Sequence, residues 1–373
     1  MNILQVHNKY LFKGGEDQVV EQEKKMLLDN GHNVFQIIRS NKEEIVTIQD
    51  KFYSLLNLSY SKKTKEIIND NLKKLPKIDI AHVHNIFPLW TYSILESLYE
   101  NKIPIVMTLH NFRLIWHKLN IFENEIKRYA IFKNSRIKTF IISRLINKKK
   151  NLLNLVSKFI VLSDFSKKKF INNGFPKNKI ILKNNFLDRS NFKQKKIENK
   201  KFIIFVSRIE KLKGINFLLN NWQNFNETLK IYGDGPLFSK LKRNNSNKYI
   251  LFKGQRSPKI IDEELNKAKF LIFPTQYYEN MPMIILQAFR AGTLVLASNI
   301  GSIKNFIKDG YNGILFNPED PNDFKKKIEW IYLNNKKCNK IVLNAYNDFL
   351  KYYTEKSNYK KLLKIYNKVI LKN

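Results

Sequence analysis

The sequence predicts an α/β protein of two units, each built on a parallel sheet. Three observations carry that expectation. Short apolar runs alternate with amphipathic segments along both halves of the chain, the pattern of strands joined by crossover helices. Several runs are continuous and β-branched rather than alternating, as strands buried on both faces require. The 373 residues also exceed one ordinary domain, at roughly 150 residues each.

In the first half the expected strands are Asn2–Val6, Val34–Ile38, Ile78–Val83, Ile103–Leu109 and Phe159–Leu162. A helix is expected to open after Gly14–Gly15, run to about Asn30 and stop at Gly31. In the second half the expected strands are Phe202–Val206, Leu229–Tyr232, Tyr249–Phe252, Phe270–Phe273, Leu294–Ala297 and Ile314–Phe316. Helical patterns between them include Gly214–Trp222 and Pro282–Ala291. The polar stretch Asp188–Lys201 reads as a linker, and Asp348–Leu371 as a basic helical segment. Two such units facing one another leave a cleft at the carboxyl ends of their strands, where open α/β sheets bind ligands.

Composition narrows the partners. The net charge, 67 − 32 = +35, favours anionic ones: nucleic acid, phosphorylated ligands or an acidic membrane surface. Lys is spread through both halves, so much of this charge also reads as solvated faces. Hydrophobic residues at 43% suffice for packed cores. The single cysteine excludes an internal disulfide and gives no sign of an oxidising compartment. MNILQVHNKY carries no basic n-region, and no run approaches the roughly 18 apolar residues of a membrane span. The expected location is cytoplasmic.

Five features at strand ends carry chemistry. In KGGEDQVV, Gly14 and Gly15 permit positive φ and close approach of backbone N–H groups to an anion. Asp17 falls in the first helical turn, where negative charge suits the dipole; a tight turn with a helix cap is the other reading. No G-x-G-x-x-G fingerprint is present, which argues against a nicotinamide enzyme. His7, His84 and His110 each end a strand, with His82 deeper and structural. Zinc would need a further carboxylate or cysteine at ligand spacing, so hydrogen bonding to a hydroxyl-rich or phosphorylated ligand is the better use.

In VSRIEKLKG, Arg208 and Lys213 suit a diphosphate, the first as a planar fork and the second as a point charge; a solvated basic loop is the alternative. IYGDGP is a sharp strand-to-helix turn, with Pro236 expected to begin the helix. In FPTQYYENMPMIILQAF, Glu279 precedes a helix with Pro282 near its first position, and the free N–H groups of that turn make an anion site. Gln287 lies more than a turn further on.

In order, GGED, TLHN, VSRIEKLKG, IYGDGP, LFKGQRS and FPTQYYENMPMIILQAFRAG resemble the retaining GT-B glycosyltransferases of family 4, the glycosyl transferases group 1. The resemblance implies two Rossmann-like domains facing across a cleft. Residues 1–190 would form the acceptor-binding domain and 191–350 the nucleotide-sugar-binding domain, with a final helix at about 351–373 packing back on the first. Arg208 and Lys213 match the family's diphosphate pair. Gly15, beside Gly14, matches the glycine loop near the donor phosphate, and His110 the histidine near the donor sugar. Glu279 matches the first acid of E-x7-E, which positions sugar hydroxyls. Asn280, Met281, Pro282 and Met283 match the loop and helix start holding sugar and phosphate, and Gln255 and Arg256 border the base.

The departure is Gln287, where the family has an acid on the nucleotide ribose. A neutral hydrogen bond in place of a charged one costs about 1 kcal/mol, so Gln287→Glu is expected to tighten donor binding modestly or leave it unchanged.

The resemblance implies retaining transfer of a hexose-type sugar from a nucleotide-diphosphate donor to a glycan or lipid-linked saccharide acceptor. Bacterial surface polysaccharide or lipopolysaccharide synthesis is the expected setting. No cofactor and no divalent metal is expected, because protein cations can stabilise the leaving diphosphate. The basic, apolar-studded segment 122–150 suits an anionic membrane face, which would make the protein peripheral. A GT-B phosphorylase or synthase and a non-catalytic relative are the alternatives. A nucleic-acid binder fits the charge but lacks a supporting motif, so no nucleic-acid partner is expected.

Overall fold

Among the described residues, which are 1–10, 14–57, 60–118, 153–188, 197–222 and 225–371, twelve strands form two six-stranded sheets in a computed structural model. In the first sheet β1 (Asn2–Lys9), β2 (Asn33–Ser40), β3 (Ile80–Val83), β4 (Ile105–Thr108), β5 (Lys158–Val161) and β6 (Ile180–Leu182) stand in the order β2-β1-β3-β4-β5-β6. In the second, β7 (Phe202–Val206), β8 (Leu229–Tyr232), β9 (Ile250–Gly254), β10 (Ala268–Phe273), β11 (Leu294–Ser298) and β12 (Ile314–Phe316) stand in the order β12-β11-β10-β7-β8-β9. Every neighbouring pair is parallel, from Asn2↔Asn33 between β1 and β2 to Ser298↔Phe316 between β11 and β12.

The chain divides into two compact units, Met1–Asn185 with Asn358–Asn373, and Phe186–Ser357. Each carries its own core. In the second, Phe205, Trp222, Phe270, Phe316 and Phe324 are buried between sheet and helices. Burying each such side chain contributes about 1.5–3 kcal/mol before the entropy of ordering it.

The strand orders place the sites. In the second sheet the chain leaves β7 for β8 and β9 on one side, then crosses to β10 on the other. The strand order therefore reverses between β7 and β10, and the carboxyl ends of strands at such a reversal are where ligands of open α/β sheets bind. The first sheet has the same reversal between β1 and β3.

Element ends differ from expectation where local chemistry intervenes. Ile103–Leu109 shortens to Ile105–Thr108; Pro104 has no N–H to donate, although its carbonyl accepts from Ala81. The helix after IYGDGP is Phe238–Arg243 rather than opening at Pro236. Gly233 and Gly235, at φ 126° and 155°, hold the chain in an extended turn before it. Pro282 is the N-cap of the helix Met283–Arg290, not its first residue. No helix among the described residues is long and apolar enough to cross a membrane, and the basic segment 122–150 lies outside the described residues.

Candidate functional site

In the second unit the carboxyl ends of the neighbouring strands β7 and β10 lead into the two loops expected to carry chemistry. After β7 the chain passes Arg208, makes a short turn at Lys211–Lys213 and enters the helix Ile215–Trp222. After β10 it passes Thr275 and Tyr277 to Glu279. The backbone ties the two together: Gln276 donates to the carbonyl of Leu212 at 2.9 Å. At Gly214, φ is 77°, and a Cβ there would lie 1.7 Å from the carbonyl oxygen of Pro274. The loops approach that closely only because residue 214 has no side chain.

That approach sets Lys213 Nζ 2.6 Å from Glu279 Oε1 and 2.5 Å from the Tyr277 hydroxyl. Burial acts to depress the Lys213 ammonium. The Glu279 charge and then Tyr277 outweigh burial and raise it above the ordinary lysine value, so it stays cationic. Burial, reinforced by Glu279, pushes the Tyr277 phenol up to about 12; it remains protonated and donates toward Glu279 Oε2. Two of the three Lys213 protons are thus engaged and the third is available to an anion. Arg208 is different: its side chain is half-exposed and Nη2 pairs with Glu210 Oε1 at 2.7 Å.

The helix Met283–Arg290 buries Met283, Ile285, Leu286, Ala288 and Phe289, which anchors its N-terminal end beside Glu279. Asn280 and Met281 are buried and Pro282 is half-buried. Ser302 Oγ donates to the Glu279 carbonyl and fixes the backbone there. Gln255 and Arg256 stand exposed after β9.

Gln287 is buried, and its Nε2 donates to Asp262 Oδ1 at 3.5 Å. Arg290 Nη2 holds the other Asp262 oxygen at 2.6 Å. Burial raises the Asp262 carboxyl above its ordinary value even with Arg290 beside it. The Asp262 carboxylate thus already stands beside Gln287, which favours the second of the two outcomes expected for Gln287→Glu, unchanged donor binding, and adds a cost in stability. The substitution sets two acids against one guanidinium, so one carboxyl is pushed up. At pH 8 the variant is expected to lose about 1–3 kcal/mol of stability, less at pH 5 where one acid is protonated, with no gain in donor affinity. Urea melts at both pH values check this; equal stability to wild type at pH 8 would refute it.

In the first unit the histidines meet, as their strand-end positions suggest. His7 and His84 have ring centroids 6.2 Å apart, His84 and His110 5.3 Å, and His82 and His84 4.1 Å. His82 is fully buried between the hydroxyls of Tyr366 and Thr108, each 2.7 Å away. His84, His110, Asn111 and Arg113 help to line a pocket. The expectation that no carboxylate reaches the histidines is corrected. Glu23, from the helix Gly15–Asp29, lies 3.4 Å from His82 Nδ1 and 3.6 Å from His84 Nε2. These oxygen and nitrogen atoms lie within 4.8 Å of one another, a spacing compatible with a metal ion. Lys183 Nζ, however, holds Glu23 Oε1 at 2.6 Å, and hydroxyls engage both His82 nitrogens, so the cluster is built as a hydrogen-bonded ion pair.

The glycine turn also differs from expectation. Gly14 has φ −116°, and its N–H donates to Asp17 Oδ2 at 2.8 Å. Neither Gly14 nor Gly15 is among the positive-φ residues. Asp17 takes the N–H that the sequence reading offered to an anion, and its other oxygen holds His7 Nε2 at 2.7 Å. The cap therefore organises this turn. A Cβ at Gly14 would meet nothing within 4 Å.

Burial, first, lowers His82 and His84 well below the ordinary histidine value, and lowers His110 to about 3. These rings are neutral in the fold. Above about pH 6.5 folded and unfolded chains both hold them neutral. Below it only the unfolded chain gains protons, so stability falls with pH by up to about 1.4 kcal/mol per unit for each histidine. Thermal melts are expected to change little above about pH 6.5 and to drop steadily from there to pH 5; a flat profile would mean that the cluster protonates without penalty.

Sequence reasoning missed Glu23, Lys183, Tyr277 and Asp262. Only Glu23 left a signal, a carboxylate on the stripe of Val19, Val20, Met26 and Leu27.

Comparison with known proteins gives matches to both units. The family Glycosyl transferases group 1 matches residues 188–348, and Glycosyltransferase Family 4 matches residues 14–191. An uncharacterised glycosyltransferase of Methanocaldococcus jannaschii is 25% identical over 292 residues, covering 77% of this chain and 74% of the relative. An uncharacterised 41.2 kDa protein in the cps region of Klebsiella pneumoniae is 25% identical over 347 residues, covering 86% and 87%. The crystal structure of HepE from Anabaena in complex with UDP and glucose matches 99% of this chain and 100% of that chain with a TM-score of 0.73, at 14% identity, a likeness of fold.

Proposed function

Since this chain belongs to the group 1, family 4 type of glycosyltransferase, with the GT-B fold, we propose that it moves a hexose-type sugar from a nucleotide-diphosphate donor to a glycan or lipid-linked saccharide acceptor, with retention at the anomeric carbon. The observation that carries the reading is the Lys213–Glu279 pair held where the strand order reverses between β7 and β10. A phosphorylated sugar asks for a cation and a hydroxyl acceptor side by side, and this pair offers both.

As the bond to the leaving diphosphate breaks, charge grows on its β-phosphate. Lys213, held in place by Glu279 and Tyr277, is positioned beforehand and stabilises that charge without reorganisation, while Arg208 joins it by turning from Glu210. Glu279 accepts from sugar hydroxyls and orients the ring; it donates no proton, since its neighbour Lys213 keeps it engaged as an acceptor. His110, in the first unit, is assigned to a sugar hydroxyl on the family resemblance alone. With two protein cations serving the phosphate, transfer proceeds without a divalent metal. A surface-polysaccharide acceptor is compatible with the relative from the cps region of Klebsiella pneumoniae.

The test is a panel of UDP-, GDP- and ADP-sugars, read by thermal shift and by nucleotide release, with and without EDTA. A donor at a hundred times its dissociation constant stabilises by about 2.7 kcal/mol, so one member should raise the melting temperature by several degrees. Release should be unchanged by EDTA. A panel in which no nucleotide sugar shifts the melt or releases nucleotide would overturn the reading, and inhibition by EDTA would overturn its metal-free part.

A further inference from the structure

Two buried polar atoms in the first unit lack a hydrogen-bond partner: Glu23 Oε2, which lies 3.4 Å from His82 Nδ1, and His84 Nε2, 3.6 Å from that oxygen. The separation is a few tenths of an ångström beyond a hydrogen bond. Glu23 and His84 are 0% and 2% exposed. Lys183, in contact with the other oxygen, acts against burial to keep the Glu23 carboxyl below its ordinary value, so Glu23 is an acceptor only.

The protons in the cluster follow from what each atom can do. Tyr366 is buried and its hydroxyl lies 2.7 Å from His82 Nδ1. If that nitrogen carried the proton, the phenol would have no acceptor among the described residues. Tyr366 therefore donates, and His82 Nε2–H donates on to Thr108. His82 then has nothing to give Glu23. The one remaining donor toward Oε2 is His84 Nε2–H; without a proton there, two lone pairs would face each other in a site closed to water. With Nε2 protonated and the ring neutral, His84 Nδ1 is a lone pair. It lies 3.0 Å from His110 Nε2, which must then carry a proton. His110 Nδ1 is left as an acceptor, with no partner among the described residues, on a ring that lines the pocket with Asn111 and Arg113.

We propose that Glu23 is a positioning residue: acting through His84 Nε2–H, it fixes His84 and His110 as Nε2–H tautomers and so presents His110 Nδ1 to the pocket as an acceptor for a ligand hydroxyl. The tautomer assignment stands on this cluster alone; its use on a sugar hydroxyl rests on the function proposed above. Lys183 supplies the neutralising charge that lets Glu23 sit there ionised, and Asn358 Oδ1 holds Lys183 at 3.1 Å.

The test begins with the unmodified protein. Long-range proton–nitrogen correlation spectra of histidine-labelled full chain at pH 7.5 should show His84 and His110 both protonated at Nε2; a proton on Nδ1 of either ring overturns the proposal. Glu23→Gln leaves Lys183 buried and unpaired and invites misfolding, so the charge-balanced pair Glu23→Gln with Lys183→Met is measured beside it. In whichever folds, His110 should become a mixture of tautomers, and an unchanged tautomer overturns the proposal. Transfer should fall about tenfold, with no further fall when the same change is made in a His110→Ala background. An equal loss in both backgrounds means that Glu23 acts on structure and not through His110. If the spectra are as expected and no sugar donor supports transfer, the tautomer assignment holds and the proposed function is what fails.

Discussion

Lys213→Ala is expected to slow transfer by about a hundredfold to a thousandfold, the effect of removing one preorganised charge from a developing oxyanion. Two losses combine. The leaving phosphate loses a cation, and Glu279 loses the ammonium that fixes its carboxylate at 2.6 Å, so sugar orientation suffers too. Arg208→Ala should slow transfer strongly without the second effect, since that side chain is half-exposed and touches Glu210 rather than Glu279. Lys213→Arg keeps the charge but replaces a point donor with a planar fork, and should recover only part of the rate. The measurement is kcat/KM with the donor found by the panel, alongside a thermal melt to confirm folding. If transfer survives both alanine changes unaltered, the assignment of the diphosphate site is wrong.

Gly214→Ala is expected to remove about 3 kcal/mol or more of stability, or to prevent the second unit from folding. The backbone conformation alone costs about 1–2 kcal/mol for a residue with a Cβ. The larger part is steric: the new methyl would sit 1.7 Å from the Pro274 carbonyl oxygen and 2.6 Å from its carbon. Both are backbone atoms, so no rotamer change relieves the overlap. Gly31 separates the two terms, because its φ of 78° is nearly the same and a Cβ there meets nothing within 4 Å. Gly31→Ala should therefore cost only the conformational part. Denaturant unfolding of the two variants gives the comparison, and similar losses at both positions would show that the loops are free to move apart.

How much of this was legible in the sequence depends on the range over which the physics acts. Strands β7 and β12 end where their apolar runs end, because a continuous buried run carries its own boundary. β6 is only the three residues IIL, too short to stand out from its surroundings. Arg208, Lys213 and Glu279 could be picked out singly, since each follows a strand. Their pairing could not, because it depends on a reversal of strand order that brings residues 213 and 279 together. The same holds for Asp262, which meets Gln287 from a neighbouring helix. Glu23 was readable in principle as a charge on an apolar stripe, but its partner Lys183, and the Asn358 that holds Lys183 in turn, lie at sequence separations that no local pattern spans.

The first unit is assembled from two stretches of chain with the whole of Phe186–Ser357 between them. His82 finds the Tyr366 hydroxyl, and Lys183 the Asn358 amide, only in the last stretch. On the ribosome, at about 5–20 residues per second, the wait between Lys183 and Asn358 is on the order of ten seconds or more. Through that interval the nascent first unit holds a buried ammonium and a buried imidazole that lack part of their final company. The second unit, drawn from one continuous stretch, meets no such delay. The half of the protein that is translated second is thus the half that can be finished first, and the final turns of the last helix close the half that was begun at the outset.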